Sequence, residues 1–161
     1  MTVLNRAVTS REYKLMLNTD RFKDRNQGAQ IFFSLTDFLI GKERGTIETQ
    51  SKEERRITSY LDTAELALRQ QGFALRLREE DHAFQVNLKY RASDRYIAAA
   101  QDLSSTQPAV PKFEEDILPP FTSKFSNSST IETNSAPDLS SMEKVAALFP
   151  GLKKLDIDSD T

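Results

Sequence analysis

The chain has 161 residues, 38% of them hydrophobic, which is enough for one domain with an ordinary core. Its net charge of −2 argues against a general nucleic-acid or membrane-surface protein, so any basic site must be local and offset by acids elsewhere. No cysteine is present, which excludes disulfides and thiolate metal sites and is compatible with a cytoplasmic protein. The opening MTVLNRAVTSREYK has no continuous apolar core of the signal-peptide kind, and no stretch approaches the roughly 20 apolar residues of a membrane span.

Residues 1–9 read as a loose lead-in. Residues 10–17 (SREYKLML) alternate Glu12, Lys14 and Met16 against Tyr13, Leu15 and Leu17, which predicts a strand. Thr19 or Asp20 is placed to cap a helix. Its apolar residues Ile31, Phe32, Leu35, Phe38 and Leu39 fall at near-helical spacing, with Gly41 as the stop. A charged segment, residues 42–56, leads to a short strand in ITSYLDT. The next stretch, TAELALRQQ, reads as a helical turn or two ended by Gly72, with Asp62-Thr63 as its cap.

The hairpin that follows carries the strongest signal. Side chains on a strand alternate sides with period two. In FALRLREE, Arg76, Arg78 and Glu80 point one way and Leu75 and Leu77 the other. In AFQVNLKYR, Gln85, Asn87, Lys89 and Arg91 share a side opposite Phe84, Val86, Leu88 and Tyr90. One face is apolar and the other strongly basic, and an anion is its natural guest. His82, the only histidine, falls in the predicted turn. Residues 91–101 suit a helix. KFEEDI suits a strand with Lys112, Glu114 and Asp116 on one side, ended by Pro119-Pro120. Residues 121–141 are polar, Ser/Thr-rich and aperiodic and are predicted to be a flexible linker; MEKVAALF is a short amphipathic helix. The expected organisation is therefore a main domain over 1–120, a linker over 121–141, and a short helix and tail over 142–161.

Four segments together resemble the CYTH domain, the fold of the triphosphate tunnel metalloenzymes. SREYK resembles that family's first-strand Glu-x-Glu-x-Lys signature. SYLDTAELALRQQGFALRLRE resembles its strand ending in Asp-Thr, short helix, glycine and Leu-Arg-x-Arg. VNLKYR resembles its Thr-Leu-Lys strand, and KFEEDI its basic-x-Glu-x-acid strand. The order and spacing are similar over roughly residues 8 to 118. The resemblance implies an α+β fold in which an antiparallel sheet forms part of a tunnel of eight strands with flanking helices. Five strands are legible here, and the last three are expected to be missing from these residues.

The resemblance further implies a metal-dependent phosphohydrolase acting on inorganic triphosphate or other triphosphates, with Mg²⁺ or Mn²⁺ as cofactor. Arg76, Arg78, Lys89 and Lys14 would grip phosphate oxygens, with Arg91 and Lys112 as outer contacts. Glu12, Glu114 and Asp116 would hold metal, and Glu12, Lys14, Arg76, Arg78 and Lys89 would form the catalytic set. A phosphate chain needs several cations at once, and Arg forks phosphate oxygens while Lys acts as a point charge. Ser10 departs from the pattern, since a neutral hydroxyl is a poorer ligand for a hard cation than the family's glutamate. Weak or absent activity is therefore expected of this short form. The alternatives are a non-catalytic binder of polyphosphate or organic phosphate and an inactive remnant. No nucleic-acid or membrane partner is expected, and open sheet edges would permit self-association.

Overall fold

The computed structural model describes residues 7–14, 18–46, 56–80 and 83–155. Two compact units are distinguished: residues 1–14 with 55–161, and residues 15–54. The first holds a six-stranded mixed sheet with short helices, an α+β architecture, and the sheet does not close into a barrel. Its strands are β1 (Ser10–Tyr13), β2 (Ile57–Leu61), β3 (Phe73–Glu80), β4 (Ala83–Ala92), β5 (Ala109–Leu118) and β6 (Thr122–Thr133), in the spatial order β1-β5-β6-β4-β3-β2.

Three expectations are corrected here. The sheet is not wholly antiparallel, because β1 runs parallel to β5 while the other neighbours are antiparallel. A hairpin forces antiparallel pairing, but Ser10 and Glu114 pair across 104 residues of sequence, so no tight turn constrains their direction. Among the described residues there are six strands, not five. The extra strand is β6, which occupies much of the stretch expected to be a flexible linker and lies between β5 and β4. Ser126, Asn127, Ser128 and Ser129 are all buried in it. Bonding to a strand on each side satisfies their backbone groups, and Asn127 Nδ2 donates to the carbonyls of Ala98 and Gln101. Polar composition alone therefore did not mark this segment as loose.

One face of the sheet is the core. Phe73, Leu75, Val86, Leu88 and Ile131 project to it and meet Leu68, Leu103, Val145, Phe149 and Leu152. The last three come from α4 (Met142–Leu148) and the following Phe149 and 3-10 turn (Pro150–Lys154), so the predicted C-terminal helix is present and packs against the sheet. Phe113 packs with Ala98 and Ala99 of α3 (Arg95–Ala100) and stacks on Phe125.

The Asp-Thr pair before α2 (Ala67–Gln70) is a backbone cap. Asp62 accepts from the backbone N–H groups of Thr63, Leu68 and Arg69, and Thr63 Oγ1 accepts from Ala67 N. Gly72 ends the helix at φ 85°, a conformation that favours glycine. Asp62→Ala is expected to lower stability by about 1–2 kcal/mol by leaving three donors unpaired, and a urea unfolding curve measures it.

The second unit, described by itself, is dominated by one helix, α1 (Arg25–Lys42). It begins earlier than the apolar spacing suggested and runs through both Gly28 and Gly41. Asp24 caps it by accepting from Gln27 N, whereas Thr19 and Asp20 lie in a separate 3-10 turn (Thr19–Arg21). Among the described residues no helix is long and apolar enough to cross a membrane. Residues 15–17 of the predicted first strand, and His82, lie outside the described residues.

Candidate anion-binding site

Opposite the core, the sheet presents a polar face. Register aligns its side chains in rows across the strands: Arg78–Gln85–Glu132, then Arg76–Asn87–Thr130–Val110, then Lys89–Ser128–Lys112, then Arg91–Ser126–Glu114–Ser10. Each residue faces this side because strand alternation places it opposite a core residue. The rows line a concavity of about 400 Å³ bordered by Lys14, Arg76, Arg78, Lys89, Arg91 and Lys112 against Glu12, Glu114 and Glu132. Thus eight of the nine residues singled out from sequence, all but Asp116, line one hollow. Asp116 adjoins them through contacts to Lys14 and Arg91.

The charges are not evenly matched. On the β5 and β1 side every carboxylate is engaged. Glu114, 7% exposed, meets Lys89 Nζ at 3.3 Å and accepts from Ser10 Oγ at 3.2 Å. Asp116, 3% exposed, meets Lys14 Nζ at 2.7 Å and Arg91 at 3.6 Å, and Glu12 meets Lys14 at 3.1 Å. On the β3 side, neither Arg76 nor Arg78 has an ion pair or hydrogen bond among the described residues, and the Nε of each is buried without a partner. A buried donor without a partner costs roughly 1–3 kcal/mol, so the fold holds these two guanidinium groups together at some expense. Burial, then the like charges of Arg76 and Arg56, push the Arg78 pKa down.

Two lysines of the site are pushed in opposite directions. Burial, then the charge of Arg91, lowers the Lys89 pKa despite Glu114 and Asp116. Burial also acts downward on Lys14, but hydrogen bonds to Asp116 and Glu12 outweigh it and leave Lys14 raised. A bound polyanion favours the charged lysine, so affinity falls as pH rises through the pKa of the free site. Triphosphate affinity is accordingly expected to weaken on the alkaline side before pH reaches the ordinary lysine value of 10.5, with Lys89 losing its proton before Lys14. Calorimetry across that range checks this, and Lys89→Arg should flatten the decline, because arginine stays charged.

The carboxylates proposed from sequence as metal ligands do not fit that role as arranged here. Glu12, Glu114 and Asp116 are each committed to an ammonium or guanidinium, and no group of three or more acidic or histidine side chains among the described residues is placed to hold a metal ion. Mg²⁺ takes free carboxylate oxygens and bound water.

Reading from sequence missed the contributors from β6: Ser128, Thr130 and Glu132. The available signal was the pairing of KFEEDIL with TSKFSNSSTIET around Pro119-Pro120, a hairpin pattern with Phe113 and Phe125 on one face. No protein-family model, curated protein or solved structure matches the chain.

Proposed function

We propose that this chain binds a short run of phosphates, inorganic triphosphate or a short polyphosphate, on its concave basic face, and that the sheet is a CYTH-type arrangement. The observation that carries the reading is the pair of guanidinium groups, Arg76 and Arg78, with no ion pair or hydrogen bond among the described residues, inside a hollow bordered by four further cations. Arginine recognises phosphate through forked, charge-assisted hydrogen bonds, which supply both geometry and energy. The Leu-Arg-x-Arg and Asn-Leu-Lys strands are hydrogen-bonded neighbours with their charges on one face, as a CYTH-type sheet would require. Lys89, Arg91 and Lys14 enlarge the positive field, while Glu114 and Asp116 hold them in place.

Metal-dependent hydrolysis is the second reading, favoured by the presence of Glu12 and Glu114 on the border of the same hollow. Because those carboxylates are paired with cations, binding is the function the geometry supports better. Calorimetric titration of triphosphate in chelator, beside a phosphate-release assay with Mg²⁺ or Mn²⁺, tests both. Saturable binding without release is expected. Release above blank would transfer the assignment to hydrolysis, and absence of binding at low salt would contradict both readings.

A further inference from the structure

Glu132 has no obvious purpose in a site for a bare polyphosphate. It lines the same hollow as Arg76 and Arg78, has no cation partner among the described residues, and would only repel such a ligand. It is exposed, and Gln85 Nε2 donates to its Oε1 at 3.2 Å. Gln85 also separates it from Arg78 in the row Arg78–Gln85–Glu132, so the two backbones stand two strand spacings apart, about 10 Å. The neighbouring hydroxyl is equally specific. Thr130 Oγ1 accepts from Asn87 Nδ2 at 2.8 Å, which leaves its proton to be donated elsewhere.

The hollow therefore offers two cations on β3 and, two strands away on β6, a hydroxyl donor and a carboxylate acceptor two residues apart. A ligand hydroxyl satisfies the last two together, accepting from Thr130 and donating to Glu132. An inorganic phosphate chain, fully ionised, has no hydrogen to give Glu132. We infer that the ligand of this site is a hydroxyl-bearing phosphate ester of the sugar or polyol class, its phosphates on Arg76 and Arg78 of β3 and a hydroxyl two strands away between Thr130 and Glu132 of β6. This rests on the phosphate-binding reading above and adds the nature of the group that carries the phosphates.

The test uses three probes on the full chain by calorimetry: inorganic triphosphate, a ribonucleoside triphosphate, and its 2′,3′-dideoxy form. The last two differ only in the sugar hydroxyls. Wild type is expected to bind the ribose form about tenfold more tightly than the dideoxy form, the scale of one hydrogen bond to a charged acceptor. Glu132→Gln should reduce that preference, because a neutral amide oxygen accepts a weaker hydrogen bond than a carboxylate, while leaving inorganic triphosphate bound as tightly or more tightly, since a repulsive charge has gone. Thr130→Val should also reduce the preference. Equal binding of the ribose and dideoxy forms, or equal tightening of all three probes by Glu132→Gln, overturns the inference and leaves triphosphate binding standing. Failure of inorganic triphosphate itself to bind would overturn the underlying reading and this one with it.

Discussion

Replacing Arg76 and Arg78 together by alanine is expected to weaken triphosphate binding at least about a hundredfold, since each guanidinium contributes charge-assisted hydrogen bonds of roughly 1.5–3 kcal/mol. The same double variant should be no less stable than wild type to urea, and slightly more stable if anything. Both groups are mutually repelling, and each leaves a buried Nε without a partner in the free protein. Loss of binding with stability retained separates a ligand site from a structural network. An exposed arginine pair with an ordinary solvated role would show neither change. Lys144→Ala offers a control: Lys144 lies in a different hollow and pairs with Asp138 at 2.6 Å, so triphosphate affinity should stay within about twofold of wild type. Raising the salt concentration should weaken binding to the wild type, because exposed parts of the site are screened beyond about 10 Å at 0.1 M.

The largest effect on stability is expected from Phe149→Ala, a loss of about 3–5 kcal/mol read from urea unfolding. Phe149 is fully buried, and it belongs to the cluster that also holds Leu68, Leu75, Leu88, Val145 and Leu152. Truncating the ring leaves a void that close-packed neighbours fill only in part. Gly151 beside it has little room as well, since a Cβ there would run into the backbone carbonyl of Asp102. Residues 142–155 thus complete the apolar layer under the sheet rather than trailing from it. If Phe149→Ala unfolded at wild-type urea concentrations, the helix and turn would not be part of the core.

The strands that carry the site were legible where polar and apolar residues alternate cleanly. In β3 and β4 the period of two placed Arg76, Arg78 and Lys89 on one face, and the pairing of Arg76 with Asn87 and Ala74 with Lys89 agrees with that placement. The capping role of Asp62-Thr63 was legible because short acidic and hydroxyl side chains before a helix have few other uses. β6 was not legible, because both of its faces are polar near the middle. Ser126 and Ser128 lie on the polar side of the sheet, while Asn127 and Ser129 face the other way with Asn127 bonded to Ala98 and Gln101. No alternation of polarity survives in such a strand, and only its neighbours reveal it. The same blindness hid Thr130 and Glu132. The direction of β1 was equally beyond reach, since a pairing across most of the chain leaves no local mark.

Binding at this face requires a polyanion to meet the guanidinium groups of β3 across the floor formed by β4 and β6. The most direct measurement is a nuclear magnetic resonance titration of the isotopically labelled chain with inorganic triphosphate, at low salt and in chelator, following the Arg76 and Arg78 Nε–H signals and the backbone amides. Saturable shifts at both side chains, with amide changes concentrated on β3, β4 and β6 around Asn87, Lys89, Ser128 and Thr130, are the predicted result. Arg76 and Arg78 signals that stay in place while triphosphate reaches millimolar concentration, or shifts concentrated around Val86, Ile131 and Leu148 on the opposite side of the sheet, would contradict it.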